Sequence, residues 1–226
     1  MSGAGARALD AGTAKAIARA FLPSRYHYHY ARAKLGSDPL YPGVVDALRG
    51  TDAPLLDLGC GIGLLAHALR AGGIGLPYRG VDNDAPKIVQ AQRAATNAGL
   101  SDAAFEVVDL AAGMPAHRGS GAILDVLQFV PPDAQDAILD AAVAMLAPGS
   151  KLVIRTGLDD GSWRARFTRR VDDFSRVLGW MNAGAKRYPD ADALRARFAA
   201  AGLESEFVPL YGRTPFNNWR VVATRP

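Results

Sequence analysis

Three glycines at alternating positions follow a short apolar run and could form a turn that holds a nucleotide. The spacing is Asp57-x-Gly59-x-Gly61-x-Gly63, after the apolar residues 55–56. Glycine adopts positive φ readily and lets a ligand approach the backbone closely, so this spacing predicts a tight turn between a strand and a helix. An acid two residues before the first glycine would repel a phosphate. It would instead suit a nucleoside that carries a positively charged amino group.

A dinucleotide is the alternative ligand for the same turn. Dinucleotide-binding turns follow the pattern G-x-G-x-x-G, which would place glycine where this chain has Leu64. A shifted match, Gly61-x-Gly63-x-x-Ala66, keeps pyrophosphate binding open. Cys60 lies inside the turn without the His, Asn or Asp pattern of a reactive thiolate, so it is expected to be a small turn residue.

Three further acids end strand-like runs later in the chain. Asp82, followed by Asn83, lies about the right distance beyond the glycines to accept hydrogen bonds from a ribose diol. Asp109, followed by Leu110, could accept a hydrogen bond from an adenine amino group. Asp125 ends another run, at the point where the reacting group of the ligand is expected.

Strand-like and helix-like runs alternate around these residues, as in repeated βαβ units. Right-handed crossovers between the first five strands imply a mostly parallel, doubly wound α/β sheet. Asp84 precedes Ala85-Pro86 and is expected to cap a helix. The predicted strands are 55–58, 78–81, 105–108, 121–127, 151–155, 206–211 and 219–224. The predicted helices are 13–22, 31–35, 44–48, 64–71, 87–98, 133–146 and 190–201.

Length and composition restrict the class of protein. With 226 residues, one domain with one core is expected, and a single cysteine excludes an internal disulfide framework. No signal-peptide pattern or run of about 18 apolar residues is present, so no transmembrane segment and a cytoplasmic location are expected. A net charge of +4 is too small and too dispersed to indicate a nucleic-acid partner, and no metal site is predicted.

Five segments in a fixed order resemble the class I S-adenosylmethionine-dependent methyltransferase family. They read LLDLGCGIG, GVDND, VVDL, LDVLQFV and LAPGSKLVIR, and they lie within residues 50–156. The resemblance implies a Rossmann-like sheet of seven strands with an antiparallel last strand, plus an N-terminal helical arm and a helical lid insertion. The single domain would divide into a cap (1–50), a cofactor-binding core (51–156), a lid (157–189) and a C-terminal helix with two strands (190–226).

The resemblance also implies which residues hold S-adenosylmethionine. Arg25 could pair with the methionine carboxylate, and Tyr26, Tyr28 or Tyr30 could face the sulfonium, as in the N-terminal cap of small bacterial members. Many small-molecule members carry His where this chain has Gln128, so a base at that position is missing. The cofactor-binding residues implied within the core are Asp57, Gly59, Cys60, Gly61, Asp82, Asn83, Asp109, Leu110 and Asp125.

A catalytic base is optional for this reaction. Methyl transfer is an in-line displacement, so positioning and exclusion of water can supply most of the rate. If the acceptor is a phenol or another hydroxyl, a group that removes its proton would help, and His27, His29 and His117 are candidates. His67 follows the glycine turn and is expected to be packed or solvated.

The acceptor is expected to lie between the arm and the lid. Tyr26 and Gln128 could contact it, as could Trp163 and Phe167 of an amphipathic run that also carries several arginines at 163–176. A functional basic patch there would suit an acidic carrier protein or a membrane surface that delivers a lipidic acceptor. An ordinary solvated helix face is the alternative.

The predicted function is methyl transfer to a small aromatic or phenolic acceptor. The arm RYHYHYARAKLGSDPLYP resembles that of methyltransferases in bacterial aryl polyene pathways, which implies an aryl precursor, either free or bound to a carrier. An RNA or protein methyltransferase is the main alternative, although no appended binding module is present. A non-catalytic nucleotide-binding module and a nicotinamide oxidoreductase also remain open.

Overall fold

The computed structural model describes residues 7–158, 188–211 and 217–226. Most of the expected lid at 157–189 lies outside these ranges. The same holds for Trp163, Phe167 and the arginines at 163–176, so their predicted contacts with the acceptor remain predictions. The fold described below is therefore the cap, the core and the C-terminal elements.

One sheet of seven strands forms the centre of the molecule. The strands are β1 (Leu55–Leu58), β2 (Tyr78–Asp82), β3 (Ala103–Val107), β4 (Ser120–Leu124), β5 (Lys151–Gly157), β6 (Glu204–Pro209) and β7 (Asn218–Thr224). Their spatial order is β3-β2-β1-β4-β5-β7-β6. The first five are parallel, and β7 runs antiparallel to both of its neighbours. This confirms the predicted Rossmann-like α/β fold with an antiparallel last strand.

Seven helices cover the two faces of this sheet within the described ranges. Helices α1 to α5 pack on one face, and α6 and α7 pack on the other. Single 3₁₀ turns follow α1, at Arg19–Phe21, and β4, at Leu127–Phe129. The helices are α1 (Ala11–Ala18), α2 (Arg25–Ser37), α3 (Leu40–Leu48), α4 (Leu64–Ala71), α5 (Ala85–Ala98), α6 (Pro132–Ala144) and α7 (Ala191–Ala200).

Two element boundaries differ from the predicted ones for identifiable reasons. β4 was expected to continue to residue 127 but ends at Leu124, because Asp125 has a φ of 60° and leaves the extended conformation. α3 begins at Leu40, four residues before its predicted start, since Pro42 falls in the first turn, where a helix needs no N–H donor.

The N-terminal helices are fixed to the domain by burial and by hydrogen bonds. The ring of Phe21 is 1% exposed and lies 5.2 Å from the ring of His67 on α4. Asn97 of α5 donates from Nδ2 to the carbonyl of Ala20 at 2.8 Å. The cap is thus part of the same core as α4 and α5. None of the helices in the described ranges combines the length and apolarity that crossing a bilayer requires.

Candidate functional site

The glycine turn between β1 and α4 reaches across to β2. Gly59, Gly61 and Gly63 have φ values of 79°, 55° and 79°. A Cβ atom on Gly59 would overlap the side chain of Val126, and one on Gly63 would lie 2.6 Å from the ring of Phe105. Among the described residues, no atom lies within 4 Å of a Cβ atom placed on Gly61. The first and third glycines are therefore required by packing, whereas Gly61 borders open space in which a ligand can lie.

Asp82 is held at this turn by two backbone donors. Its Oδ2 accepts a hydrogen bond from the N–H of Gly61 at 2.9 Å, and its Oδ1 accepts one from the N–H of Asp84 at 3.0 Å. A carboxylate oxygen has two lone pairs, so each oxygen can still accept a second hydrogen bond. The carboxylate is fixed in orientation and can accept from a diol, while Asn83 beside it is exposed.

Replacing Asp82 by alanine is expected to weaken binding of S-adenosylhomocysteine by about 1–3 kcal/mol, because the ribose hydrogen bonds are lost. Asp84→Ala is a matched control. Asp84 accepts from the N–H of Lys87 and caps α5, so its loss should reduce stability by about 1 kcal/mol and leave the affinity unchanged. Calorimetric titration and thermal unfolding measure both quantities. Equal affinities for wild type and Asp82→Ala would remove Asp82 from the site.

Asp57 is a buried acid beneath the turn. Asp57 is 2% exposed, and its Oδ2 accepts a hydrogen bond from the hydroxyl of Tyr78 at 2.5 Å. Its Oδ1 has no hydrogen-bond partner among the described residues. Burial, with a smaller contribution from the charge of Asp82, raises the pKa of Asp57 to about 7. A buried carboxyl group with a free oxygen next to an open turn fits a ligand that carries a positive charge.

Asp109 lies at the same end of the sheet, beyond β3. Its Oδ1 accepts from the N–H of Ala111 at 2.9 Å, and the N–H of Val108 bonds the carbonyl of Asp82 at 3.0 Å. Asp109 is exposed, and Leu110 packs partly into the core of the second face. The structure therefore brings Asp82, which ends β2, and Asp109, which follows β3, to the same end of the sheet. Asp109 is nevertheless exposed to solvent.

A cavity of about 430 Å³, the β4–β5 cleft, opens where β4 and β5 end. The cleft adjoins the glycine turn, because Val126, next to the lining residue Asp125, packs on Gly59. Gln128 is 8% exposed, and its Oε1 accepts from the hydroxyl of Thr156 at 3.3 Å. The lining includes Asp125, Gln128, Phe129, Arg155, Tyr188 and Tyr211. Aromatic and charged side chains thus meet in one cavity.

Four charged residues line one wall of this cleft: Lys34, Asp38, Asp125 and Arg155. We call these four residues the charge cluster. Lys34 Nζ lies 2.6 Å from Asp38 Oδ2 and 3.8 Å from Asp125 Oδ2. Arg155 Nη1 contacts Asp125 Oδ2, and Nη2 lies 3.5 Å from Asp38 Oδ2. Burial alone would raise the pKa of Asp38, but Arg155 and Lys34 lower it below its ordinary value. The cluster ties the cap to the sheet.

Residues 25–30 of the arm form the first turn and most of the second turn of α2. Tyr26 is 74% exposed and stacks on Tyr30, which is 45% exposed. Burial lowers the pKa of Lys87, but Asp84, Asp82 and, with a smaller contribution, Tyr30 raise it above its ordinary value. Arg25 is exposed at the start of the helix. Tyr30 thus lies near Lys87 at the start of α5, whereas Tyr26 and Arg25 are exposed to solvent.

The two histidines of the arm lie apart from the charge cluster. His27 Nδ1 bonds the hydroxyl of Ser24 at 2.8 Å, at the N-terminus of α2. His29 is exposed, and its ring packs edge-on against Tyr28. Within the described ranges, neither ring hydrogen-bonds to a residue that lines the β4–β5 cleft. Their role as bases therefore stays a prediction that rests on the sequence.

The remaining two histidines lie elsewhere. A ring nitrogen of His117 bonds the carbonyl of Ser120 at 3.0 Å, at the amino end of β4 and thus at the opposite edge of the sheet from the cleft. His67 is 4% exposed, and burial lowers its pKa to about 4. His117 is not placed to act at the cleft, and His67 is a buried core residue.

Several residues at the site were not singled out from the sequence. Lys34 and Asp38 occupy positions four residues apart on the face of α2 that carries Tyr30, a spacing that could have shown them. Arg155 is the charged residue that ends the apolar run Leu152-Val153-Ile154. A charge inside a buried strand requires partners, and this is the signal that could have identified it.

Comparison with known proteins gives one family model and one curated relative. Residues 55–149 match a family model described as a methyltransferase domain. The ubiquinone biosynthesis O-methyltransferase of Xylella fastidiosa (strain 9a5c) is 28% identical over 169 residues, which are 74% of this chain and 67% of that protein. The match to the family model begins at β1 and contains the glycine turn and the acids after β2, β3 and β4.

Solved structures share the fold at low sequence identity. The magnesium protoporphyrin IX methyltransferase of Synechocystis PCC 6803, crystallised with S-adenosylhomocysteine, superposes with a TM-score of 0.60 at 18% identity, covering 83% of this chain and 82% of that one. An O-methyltransferase from neocarzinostatin biosynthesis gives 0.60 at 20% identity, covering 88% and 56%. These likenesses concern the arrangement of the sheet and its helices.

Proposed function

We propose that this chain is a class I S-adenosylmethionine-dependent methyltransferase and that it methylates a hydroxyl oxygen of a small aromatic acceptor. S-adenosylmethionine supplies an electrophilic methyl group bound to a positively charged sulfur. The observation that carries the proposal is that the glycine turn adjoins the β4–β5 cleft. Val126 packs on Gly59 of the glycine turn, while the preceding residue, Asp125, lines the β4–β5 cleft. A cofactor at the turn and an acceptor in the cleft would therefore be neighbours.

The residues at the turn match three parts of the cofactor: its amino group, its ribose and its methionine chain. Asp57 has a buried oxygen that no described residue hydrogen-bonds, which suits the amino group. Asp82 has a fixed carboxylate, which suits the ribose diol. Gly61 leaves the space that the methionine chain requires. These assignments, and those of Cys60, Asn83, Asp109, Leu110, Arg25 and Tyr30, are proposals for the cofactor side of the site.

The β4–β5 cleft supports an aromatic acceptor that reacts at oxygen. Phe129, Tyr188 and Tyr211 line it, and rings of this kind pack well against another aromatic group. The Xylella relative is named an O-methyltransferase of ubiquinone biosynthesis, and the neocarzinostatin enzyme was crystallised with 1,4-dihydroxy-2-naphthoic acid. Both proteins are named O-methyltransferases, and the ligand of the second is a hydroxylated aromatic ring.

Transfer requires little besides alignment and exclusion of water. The acceptor oxygen forms a bond to the methyl carbon while the carbon–sulfur bond breaks. The electron pair of the broken bond stays on sulfur. The hydroxyl proton leaves to water. The chain's own contribution is to hold the oxygen in line with the methyl group, and Gln128 and Tyr26 are proposed to help shape the acceptor side.

The charge of the cap supports delivery of the acceptor by an acidic carrier protein. Residues 7–37 contain six lysines and arginines but one acid, Asp10. Within the described ranges Lys34 is the one of these six cations that forms an ion pair. Unpaired positive charge on the cap would attract an acidic partner. The other five cations are Arg7, Lys15, Arg19, Arg25 and Arg32.

The proposal is tested by transfer of a labelled methyl group. Purified protein is incubated with methyl-labelled S-adenosylmethionine and either catechol, 1,4-dihydroxy-2-naphthoate or a cell extract. We expect label in an aryl methyl ether. Label that stays with protein but is released by mild alkali as a small aromatic ether would support the carrier. Label in RNA, or in amino-acid side chains, would contradict the proposal.

A further inference from the structure

The charge cluster holds one oxygen of Asp125 and leaves the other free. Lys34 and Arg155 both contact Oδ2, whereas Oδ1 has no hydrogen-bond partner within the described residues. The side chain of Asp125 is 29% exposed and lines the β4–β5 cleft. One carboxylate oxygen is therefore fixed by the protein, and the second is available to a group in the cleft.

The backbone of Asp125 is itself held in a disfavoured conformation. Its φ of 60° makes it the one non-glycine residue with positive φ in the described part of the chain. Its N–H donates to the carbonyl of Arg155 at 2.9 Å, so Arg155 bonds Asp125 through both its backbone and its guanidinium. Strained residues persist where their surroundings fix them, and they concentrate at functional sites.

Arg155 is better suited than Lys34 to fix this carboxylate. Arg155 is 7% exposed, and its rigid guanidinium contacts Asp125 and Asp38 together. Lys34 is a flexible side chain at 3.8 Å from Asp125. Without Arg155, the carboxylate would retain that one longer contact, and its orientation would no longer be determined.

We propose that Arg155 is a positioning residue for methyl transfer. It fixes Oδ2 of Asp125 so that Oδ1 accepts the hydrogen bond of the acceptor hydroxyl, and this inference rests on the proposed function. The acceptor oxygen is thereby directed to the side of the cleft where Val126 packs on the glycine turn. Asp125 contacts the acceptor, whereas Arg155 acts through Asp125.

The test compares Arg155→Met, Arg155→Lys, Asp125→Asn and the double variant Arg155→Met/Asp125→Asn. Methyl transfer to catechol and 1,4-dihydroxy-2-naphthoate gives kcat and KM, and titration with S-adenosylhomocysteine gives the cofactor-site affinity. We expect Arg155→Met and Asp125→Asn each to lower kcat about 100-fold, because an orienting contact is lost. The double variant should lose no more than either single one, since both remove the same interaction. Arg155→Lys should recover part of the rate.

Arg225→Met is the matched control. Arg225 follows β7, donates from its side chain to the carbonyl of Val143 at 3.1 Å and pairs through its backbone with Ser150, at the amino end of β5 and thus away from the cleft, so its loss should reduce stability with kcat retained. Additive losses in the double variant, or a wild-type kcat in Asp125→Asn, would overturn the inference alone. If Arg155→Met does not fold, Asp125→Asn and Arg155→Lys decide the matter. A wild type that binds S-adenosylhomocysteine but labels no hydroxylated aromatic overturns the proposed function as well.

Discussion

Gly61→Ala is expected to lower the affinity for S-adenosylhomocysteine roughly 100-fold, or about 3 kcal/mol, because the new methyl group enters the space of the ligand. Within the described part of the chain no atom lies within 4 Å of that Cβ position, so none of the described atoms has to move. The φ of 55° is disfavoured for alanine and should cost about 1–2 kcal/mol of stability. Calorimetric titration and thermal unfolding separate the two effects.

Gly73→Ala is the control that shares the strain but not the site. Gly73 has a φ of 76°, also has nothing within 4 Å of its Cβ position, and is exposed after α4. It should lose a similar amount of stability and keep full affinity. If Gly61→Ala and Gly73→Ala bind S-adenosylhomocysteine equally well, the ligand does not lie against the glycine turn, and the proposed cofactor site is wrong.

Asp57→Asn is expected to remove a pH dependence of stability worth about 3 kcal/mol between pH 5 and pH 8. The pKa of Asp57 in the folded protein is raised to about 7, from an ordinary value of 3.8. The folded protein therefore binds a proton that the unfolded chain releases. This contribution to stability is complete below the unfolded pKa and is lost as the pH rises through about 7. Asparagine keeps the shape and cannot titrate.

The measurement is the free energy of unfolding in urea at both pH values, for wild type and for Asp57→Asn. The difference between the two proteins isolates Asp57, because the contribution of His67, which has the opposite sign, is the same in both. Burial lowers the pKa of His67 to about 4, so its contribution rises with pH up to its ordinary pKa of 6.5. Wild type should become less stable relative to the variant as the pH rises. Parallel pH profiles would show that Asp57 is already ionised in the folded protein.

Local sequence determined the elements around the glycine turn. β1 (Leu55–Leu58) and α4 (Leu64–Ala71) have the predicted limits, because the glycines between them require a turn there whatever surrounds it. The end of β4 was not predictable in this way. The run to residue 127 is apolar apart from Asp125, and the strand stops because tertiary contacts hold that residue at positive φ.

The acids at the carboxyl ends of the strands were also accessible from the sequence. Asp57, Asp82, Asp109 and Asp125 lie in or after parallel strands, whose carboxyl ends must meet at one edge. The ion pairs that Arg155 forms in the charge cluster were not accessible, since they join residues 30 and 117 positions apart. No local spacing encodes such pairs. The unusual charge of Arg155 within a buried strand indicates that partners exist but does not identify them.

The position of β7 between β5 and β6 affects how the chain can fold as it leaves the ribosome. β6 is synthesised before β7, yet it has no neighbour in the sheet except β7. Until residues 218–224 emerge, β5 keeps one edge unpaired at all seven of its positions. An unpaired, apolar strand edge readily binds another chain. The nascent protein therefore carries an aggregation-prone edge until β7 has been synthesised, and slow translation between β5 and β7 would prolong this period.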